Sequence, residues 1–274
     1  MSTFSLPQQE SNGQAELTAL AMAYPDRISG LAVRGGEWSV EVDGAWFAWA
    51  HGRLLPEATR DTWRSYAAHR FYRYQVGPLP PLPVLDDETV ARLQERLRAD
   101  RARPPRRSGA FLGRLFRAGS LAEVRRRLVT VDFLGFPVQV HEIAAGPLKA
   151  VAADCAALRA TDASVAAFFS GLAKIDGFNY REVAGTLALS YHGYGLALDM
   201  VPRSYGRKAT YWRWTMDVDP RWWETPYAKR WTVPQPIVDA FERHGFVWGG
   251  KWLFFDTMHF EYRPEILLLT REGS

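Results

Sequence analysis

Apolar and polar positions first alternate with period two around Trp38–Val42 and Ala45–Ala50, with Asp43-Gly44 between them, and this spacing predicts a β-hairpin. Two β-branched runs, Val129–Phe133 and Phe136–His141, flank a Leu-Gly pair and predict a second hairpin. Helical spacing marks "AELTALAMAY" and the stretch Asp86–Arg98, where Val90, Leu93 and Leu97 share a face and acids open the first turn. Ser120 with Glu123 predicts a capped short helix running into Leu128. From Pro147 to Ile175 the spacing is helical with one break near Thr161-Asp162, and Pro234–His244 is a helix opened by proline and closed by Gly245. Helices followed by short strands read as α+β: a small antiparallel sheet flanked by helices, with an N-terminal helix and hairpin extension.

This order divides the chain into a disordered tail over 1–13, a small N-terminal module over 14–83, a basic helical linker over 84–128 and a main domain over 129–274. An aromatic-rich stretch, Trp63–Tyr74, and the extended "GPLPPLP" at Gly77–Pro83 form a strap between the module and the rest. The chain has 274 residues, 47% of them apolar, which is enough to bury a sizeable core and excludes low-complexity and solenoid architectures. No run approaches the ~20 apolar residues of a membrane span, and no signal peptide is expected in this chain. The single cysteine, Cys155, lies in an Ala-rich helical run and reads as an inert buried thiol, which leaves the redox compartment open.

Charge changes the picture in one place. The net charge is +4, yet Arg92–Arg127 holds twelve arginines against three acids, so the basic character is local. The cluster lacks regular interleaved aromatics and is broken by prolines, so no nucleic-acid partner is expected. A solvated face is the plain reading, and contact with an anionic envelope polymer is the functional one.

The chemistry concentrates in two segments. In "SYHGYGLALD", His192 and Asp199 stand seven residues apart around two glycines. On a strand over Leu196–Met200, Leu196, Leu198 and Met200 share one face while Ala197 and Asp199 share the other. In "FFDTMHFEY", Met258, Phe260 and Tyr262 alternate with His259 and Glu261. Two imidazoles and one carboxylate are a zinc ligand set, and three protein ligands leave a fourth position open. Asp256 precedes His259 by three residues, so a bend before Thr257 is required for it to serve as a general base. Glu261 is placed behind a ligand, holding an imidazole or a neighbouring strand. Tyr205, Tyr211, Trp212 and Trp214 are groove walls or core. His51, His69, His141 and His244 lack a matched partner and read as structural, with His141 beside Glu142 the nearest to an exception.

"SxHxxGxAxD" followed by "DxxHFE", with "GFNYREVAGTLALSYH" and "GFVWGGKW" around them, resembles the D-alanyl-D-alanine carboxypeptidase and L-alanyl-D-glutamate endopeptidase family of zinc peptidases, over roughly Val129 to Pro264. The resemblance implies one zinc ion on His192, Asp199 and His259, Asp256 as general base, Arg181 polarising the scissile carbonyl or its oxyanion, and Ser190 in contact with substrate. It also implies a peptidoglycan stem peptide as substrate, and hence a periplasmic or extracellular place at the cell envelope. In the dipeptidase branch the base is a glutamate; the aspartate here is as in the endopeptidase-like branch, which leaves the bond cleaved open. Hedgehog signalling domains resemble the same family and keep the ligands, so a non-catalytic zinc-containing binding module is the alternative.

Overall fold

A computed structural model describes residues 12–271. The expected tail over 1–13 therefore lies outside the described residues up to position 11. An antiparallel sheet near the N-terminus follows helix α1 (Gln14–Ala23) and has the order β1 (Ile28–Arg34), β2 (Glu37–Val42), β3 (Ala45–Ala48) and β4 (Leu55–Pro56). The predicted hairpin is β2–β3, turning at Asp43-Gly44 with both φ positive, the turn whose twist suits paired strands. It belongs to a larger sheet than periodicity indicated, because β1 carries a glycine and only weak alternation.

Three helices then cross the basic region: α2 (Asp87–Ala102), α3 (Ala110–Leu115) and α4 (Leu121–Arg126). Asp86 caps α2 by accepting the Thr89 amide at 2.8 Å, and Ser120 caps α4. Helix α2 runs four residues beyond the predicted Arg98, because its arginines are good helix formers and the prolines come only at 104 and 105. The second hairpin is β5 (Leu128–Phe133) with β6 (Phe136–His141), followed by α5 (Glu142–Thr161) and α6 (Ala163–Ser170).

Two differences from the predicted helical stretch have physical causes. Helix α5 begins at Glu142 rather than Pro147, since His141 caps it by accepting the Ile143 amide, and the proline sits inside the helix. The run after Gly171 is a strand, β7 (Leu172–Asp176), not helix. Leu172 and Ile175 match helical spacing, but pairing with the next strand decides the outcome.

The second four-stranded sheet has the order β7, β8 (Ala197–Pro202), β10 (His259–Tyr262), β9 (Phe246–Trp248), all antiparallel. Short helix α7 (Trp212–Met216), helix α8 (Gln235–Arg243) and helix α9 (Pro264–Arg271) complete the fold. The class is α+β. Phe260 is fully buried and stacks on Phe241 of α8 at 4.0 Å, with Leu196, Leu198 and Met200 beside it in the core. That core is continuous with Leu17 of α1, Phe47 of β3 and Phe111 of α3, and α1 packs on α9. Cys155 is buried in it and its thiol is pushed up to about 12 by burial, so it is inert at neutral pH.

Candidate metal centre

Strand pairing builds the site. In the β8–β10 ladder His259 lies directly opposite Asp199, while Leu198 and Phe260 face the core. Both polar side chains therefore leave the same open face. The third member, His192, sits on a one-turn helix over Tyr191–Tyr194 that leads into β8. Ser190 is buried and its hydroxyl accepts the His192 amide, and the left-handed Gly195 (φ 72°) ends the turn, its carbonyl accepting the His141 amide at 2.8 Å.

The ligand atoms converge. His192 Nε2 is 3.1 Å from His259 Nδ1 and 3.2 Å from one Asp199 oxygen, and the other Asp199 oxygen is 2.9 Å from His259 Nδ1. A tetrahedral ion with bonds of about 2.0–2.1 Å holds its ligand atoms about 3.3 Å apart, so the spacing suits a small divalent cation. The outward nitrogens are engaged as well. His192 Nδ1 donates to the Gly177 carbonyl at 2.7 Å, and His259 Nε2 faces Glu261 Oε1 at 3.1 Å. Each ring thus turns its other nitrogen toward the cluster. Gly177 is required by close approach, since a Cβ there would stand 2.2 Å from the Gln139 carbonyl.

Electrostatics also point to a cation. Burial opposes protonation of the His259 ring, but the hydrogen bonds and charges of Asp199 and Glu261 outweigh it and raise its pKa well above the ordinary value. Burial likewise opposes ionisation of Asp199, and hydrogen bonds from both histidines hold it below the usual carboxylate range. The pocket is organised around positive charge.

Asp256 is the remaining group at this face. Its backbone bridges Tyr211, with Trp212 N–H donating to the Phe255 carbonyl at 2.9 Å and Thr257 N–H to the Thr210 carbonyl at 2.8 Å. A turn at Thr257-Met258 joins it to β10, the bend the spacing required. Asp256 Oδ1 is buried without a hydrogen-bond partner, and burial pushes the carboxyl up to about 6, while the charges of His259, Asp199 and His192 all act on it. Arg181 is exposed, and its carbonyl accepts the Ser190 amide at 2.9 Å, which ties it to the start of the His192 turn. Burial raises the Tyr211 pKa, and the charges of Asp256 and Arg181 act on it in opposite directions.

The four aromatics divide. Trp212 is core, packed on Trp222 at 5.0 Å, whereas Trp214 is 58% exposed and meets Tyr211 edge-on at 5.5 Å. Tyr205 is half-buried and donates to Met258 Sδ at 3.2 Å. The other histidines do structural work: His141 bonds the Phe116 carbonyl, His244 pairs with Asp154, burial lowers His69 to about 3, and His51 stacks on Trp63.

The arginine cluster is partly neutralised by its own chain. Arg92, Arg96, Arg98, Arg117 and Arg127 pair with Glu88, Asp100, Glu95, Asp43 and Glu142. Arg101, Arg103, Arg125 and Arg126 are exposed and have no ion pair among the described residues. Sequence reading missed the Gly177 carbonyl and Arg263, whose guanidinium stands behind Glu261. The Gly177 contact carries no local signal because it depends on how separate segments pack, whereas Arg263 stands two residues from Glu261 and only its contacts with Arg70 and Tyr191 depend on distant segments.

Comparison with known proteins agrees with this geometry. Residues 184–262 match the family described as D-alanyl-D-alanine carboxypeptidase, which supports kinship with the M15 metallopeptidases. The match includes His192, Asp199, Asp256, His259 and Glu261 and begins after Arg181. Residues 16–71 match a domain of unknown function. Neither a curated protein nor a solved structure matches the chain.

Proposed function

We propose that the chain is a zinc peptidase that hydrolyses peptide bonds in peptidoglycan stem peptides, as a D,D-carboxypeptidase or an L-alanyl-D-glutamate endopeptidase. The observation that carries this reading is the near-tetrahedral spacing of the His192, Asp199 and His259 ligand atoms beside an unpartnered Asp256 carboxylate oxygen. The matched family suggests a peptidase acting on cell-wall peptide.

Zinc held by these three residues would polarise the scissile carbonyl and ease deprotonation of a water. Asp256 takes the proton from the attacking water and returns it to the leaving amine. Arg181, whose carbonyl is tied to the Ser190 amide, would offer its cation to the oxyanion as it develops. Ser190 holds the His192 turn with its oxygen, and its hydroxyl proton remains a donor toward substrate. Asp256 and Arg181 are what favour an enzyme over a binding module that keeps the ligands alone.

Purified protein should carry about one zinc ion and release new termini from muropeptides, identified by mass spectrometry of the digest; the termini report which bond is cut. Zinc-loaded protein that cleaves none of a broad muropeptide panel overturns the peptidase reading. Such a substrate places the protein at the cell envelope. There the exposed Arg101, Arg103, Arg125 and Arg126 would meet anionic polymer, and cosedimentation with sacculi should weaken as salt rises. Unchanged cosedimentation after these four are changed to glutamine would leave the cluster as a solvated face. Among the described residues no helix is long and apolar enough to cross a membrane.

A further inference from the structure

Behind the metal cluster, away from Asp256, lies a buried ion network that the proposed reaction does not use. Arg263 is 4% exposed, and its three nitrogens have three separate partners. Nε donates to Glu265 Oε1, Nη2 donates to the Arg70 carbonyl at 2.9 Å, and Nη1 stands 3.4 Å from Glu261 Oε2. The guanidinium also lies over the Tyr191 ring at 4.7 Å, on the turn that carries His192. Glu265 is buried, and its second oxygen accepts the Tyr24 hydroxyl at 3.0 Å. A continuous path therefore runs from Tyr24 through Glu265, Arg263 and Glu261 to His259 Nε2.

The two ends of this path come from different parts of the chain. Tyr24 and Arg70 lie within the segment 16–71 that matches a domain of unknown function, whereas Glu261 and His259 lie within the peptidase-like segment 184–262. Arg263 joins them. We infer that Arg263 is a positioning residue for the metal centre, and that through it the N-terminal segment braces the His259 ligand. The inference rests on the reading of His259 as a ligand.

Geometry gives the reason. Glu261 can direct His259 Nδ1 toward the cluster only while its own carboxylate is held, and a planar fork with several donors fixes a carboxylate in direction as well as distance. An ammonium is a point charge on a flexible stem and fixes distance alone. Buried ion networks often stabilise a fold no better than apolar side chains of equal volume, so orientation is the better account of this one.

The test compares zinc dissociation constants, from competition with a chromogenic chelator, with melting in EDTA. It uses the full chain as wild type, Arg263→Gln, Arg263→Lys, Tyr24→Phe and the double variant Tyr24→Phe/Arg263→Gln. Val42→Ala, which removes bulk from the N-terminal core and no hydrogen-bonding group of the path, serves as the stability control. Arg263→Gln should weaken zinc binding by about 10- to 100-fold, and Arg263→Lys should recover part of the loss. Tyr24→Phe should weaken it less, and should add nothing in the Arg263→Gln background, because both act along one path. Val42→Ala should lower the melting point in EDTA without changing zinc affinity. If Arg263→Gln does not fold, Arg263→Lys and Tyr24→Phe carry the comparison. Wild-type zinc affinity in all the network variants overturns the inference alone. A wild type that binds no zinc overturns the metal reading and the inference with it.

Discussion

Asp256→Ala should retain its zinc and lose about 10²- to 10⁴-fold in turnover on a muropeptide substrate, the contribution of a positioned general base. Zinc should stay because Asp256 is outside the cluster of ligand atoms. Turnover should fall because its buried Oδ1, with no hydrogen-bond partner, is the acceptor proposed for the proton of the attacking water. Substrate binding should change little, which makes this a loss in kcat rather than in KM. The pH profile adds a second signature. A base works ionised, so activity should fall as pH drops through the Asp256 pKa. Burial pushes that pKa up to about 6, and a bound cation lowers it, so the acid limb falls below about 6. The residual activity of Asp256→Ala should lack this limb. Asp256→Glu keeps the charge but moves it by one methylene, so partial activity is expected. Zinc content and initial rates on one substrate decide the matter, and unchanged rates in Asp256→Ala would remove the residue from the mechanism.

What the sequence made legible was local. Alternation in "GLALD" and "MHFEY" put the polar side chains opposite the apolar ones, and the α+β class followed from the order of the elements. The register that sets His259 opposite Asp199 was not legible, since it pairs residues sixty positions apart through backbone bonds that any side chains permit. Strand β7 was hidden for a related reason. Leu172 and Ile175 suit a helix as well as a strand until Asp176 finds its place against Asp199. The bend at Asp256 could be required on paper, but its cause is the segment 210–212, which bridges the acid and the residues on either side of it. Arg263 is the clearest case. Glu261 and Glu265 flank it at two residues each, but Arg70 and Tyr191 are far away in sequence, and only the packing of α1 against α9 brings Tyr24 to the end of the line.

Removing a ligand should have a larger effect on metal binding than any change behind it. In His192→Ala, Asp199→Ala and His259→Ala the set falls from three protein ligands to two, and the zinc found in the wild type should be absent after dialysis. The three variants should differ in what they leave behind. His192→Ala leaves the Gly177 carbonyl without its ring donor, whereas His259→Ala leaves the carboxylates of Asp199 and Glu261 without the imidazole between them. Asp199→Ala removes the negative charge that holds both rings, so it should also let His259 titrate nearer its ordinary range. A stability measurement follows from the same binding. A ligand held only by the folded state stabilises it by about 4 kcal/mol at a thousandfold excess over its dissociation constant. Wild-type protein should therefore melt at a clearly higher temperature with zinc than with EDTA, and in each ligand variant that difference should vanish. Calorimetry with metal analysis on the same samples checks both. Full zinc occupancy in any of the three, or a zinc-dependent melting increment that survives, would show that the ion binds elsewhere and would remove His192, Asp199 and His259 as its ligands.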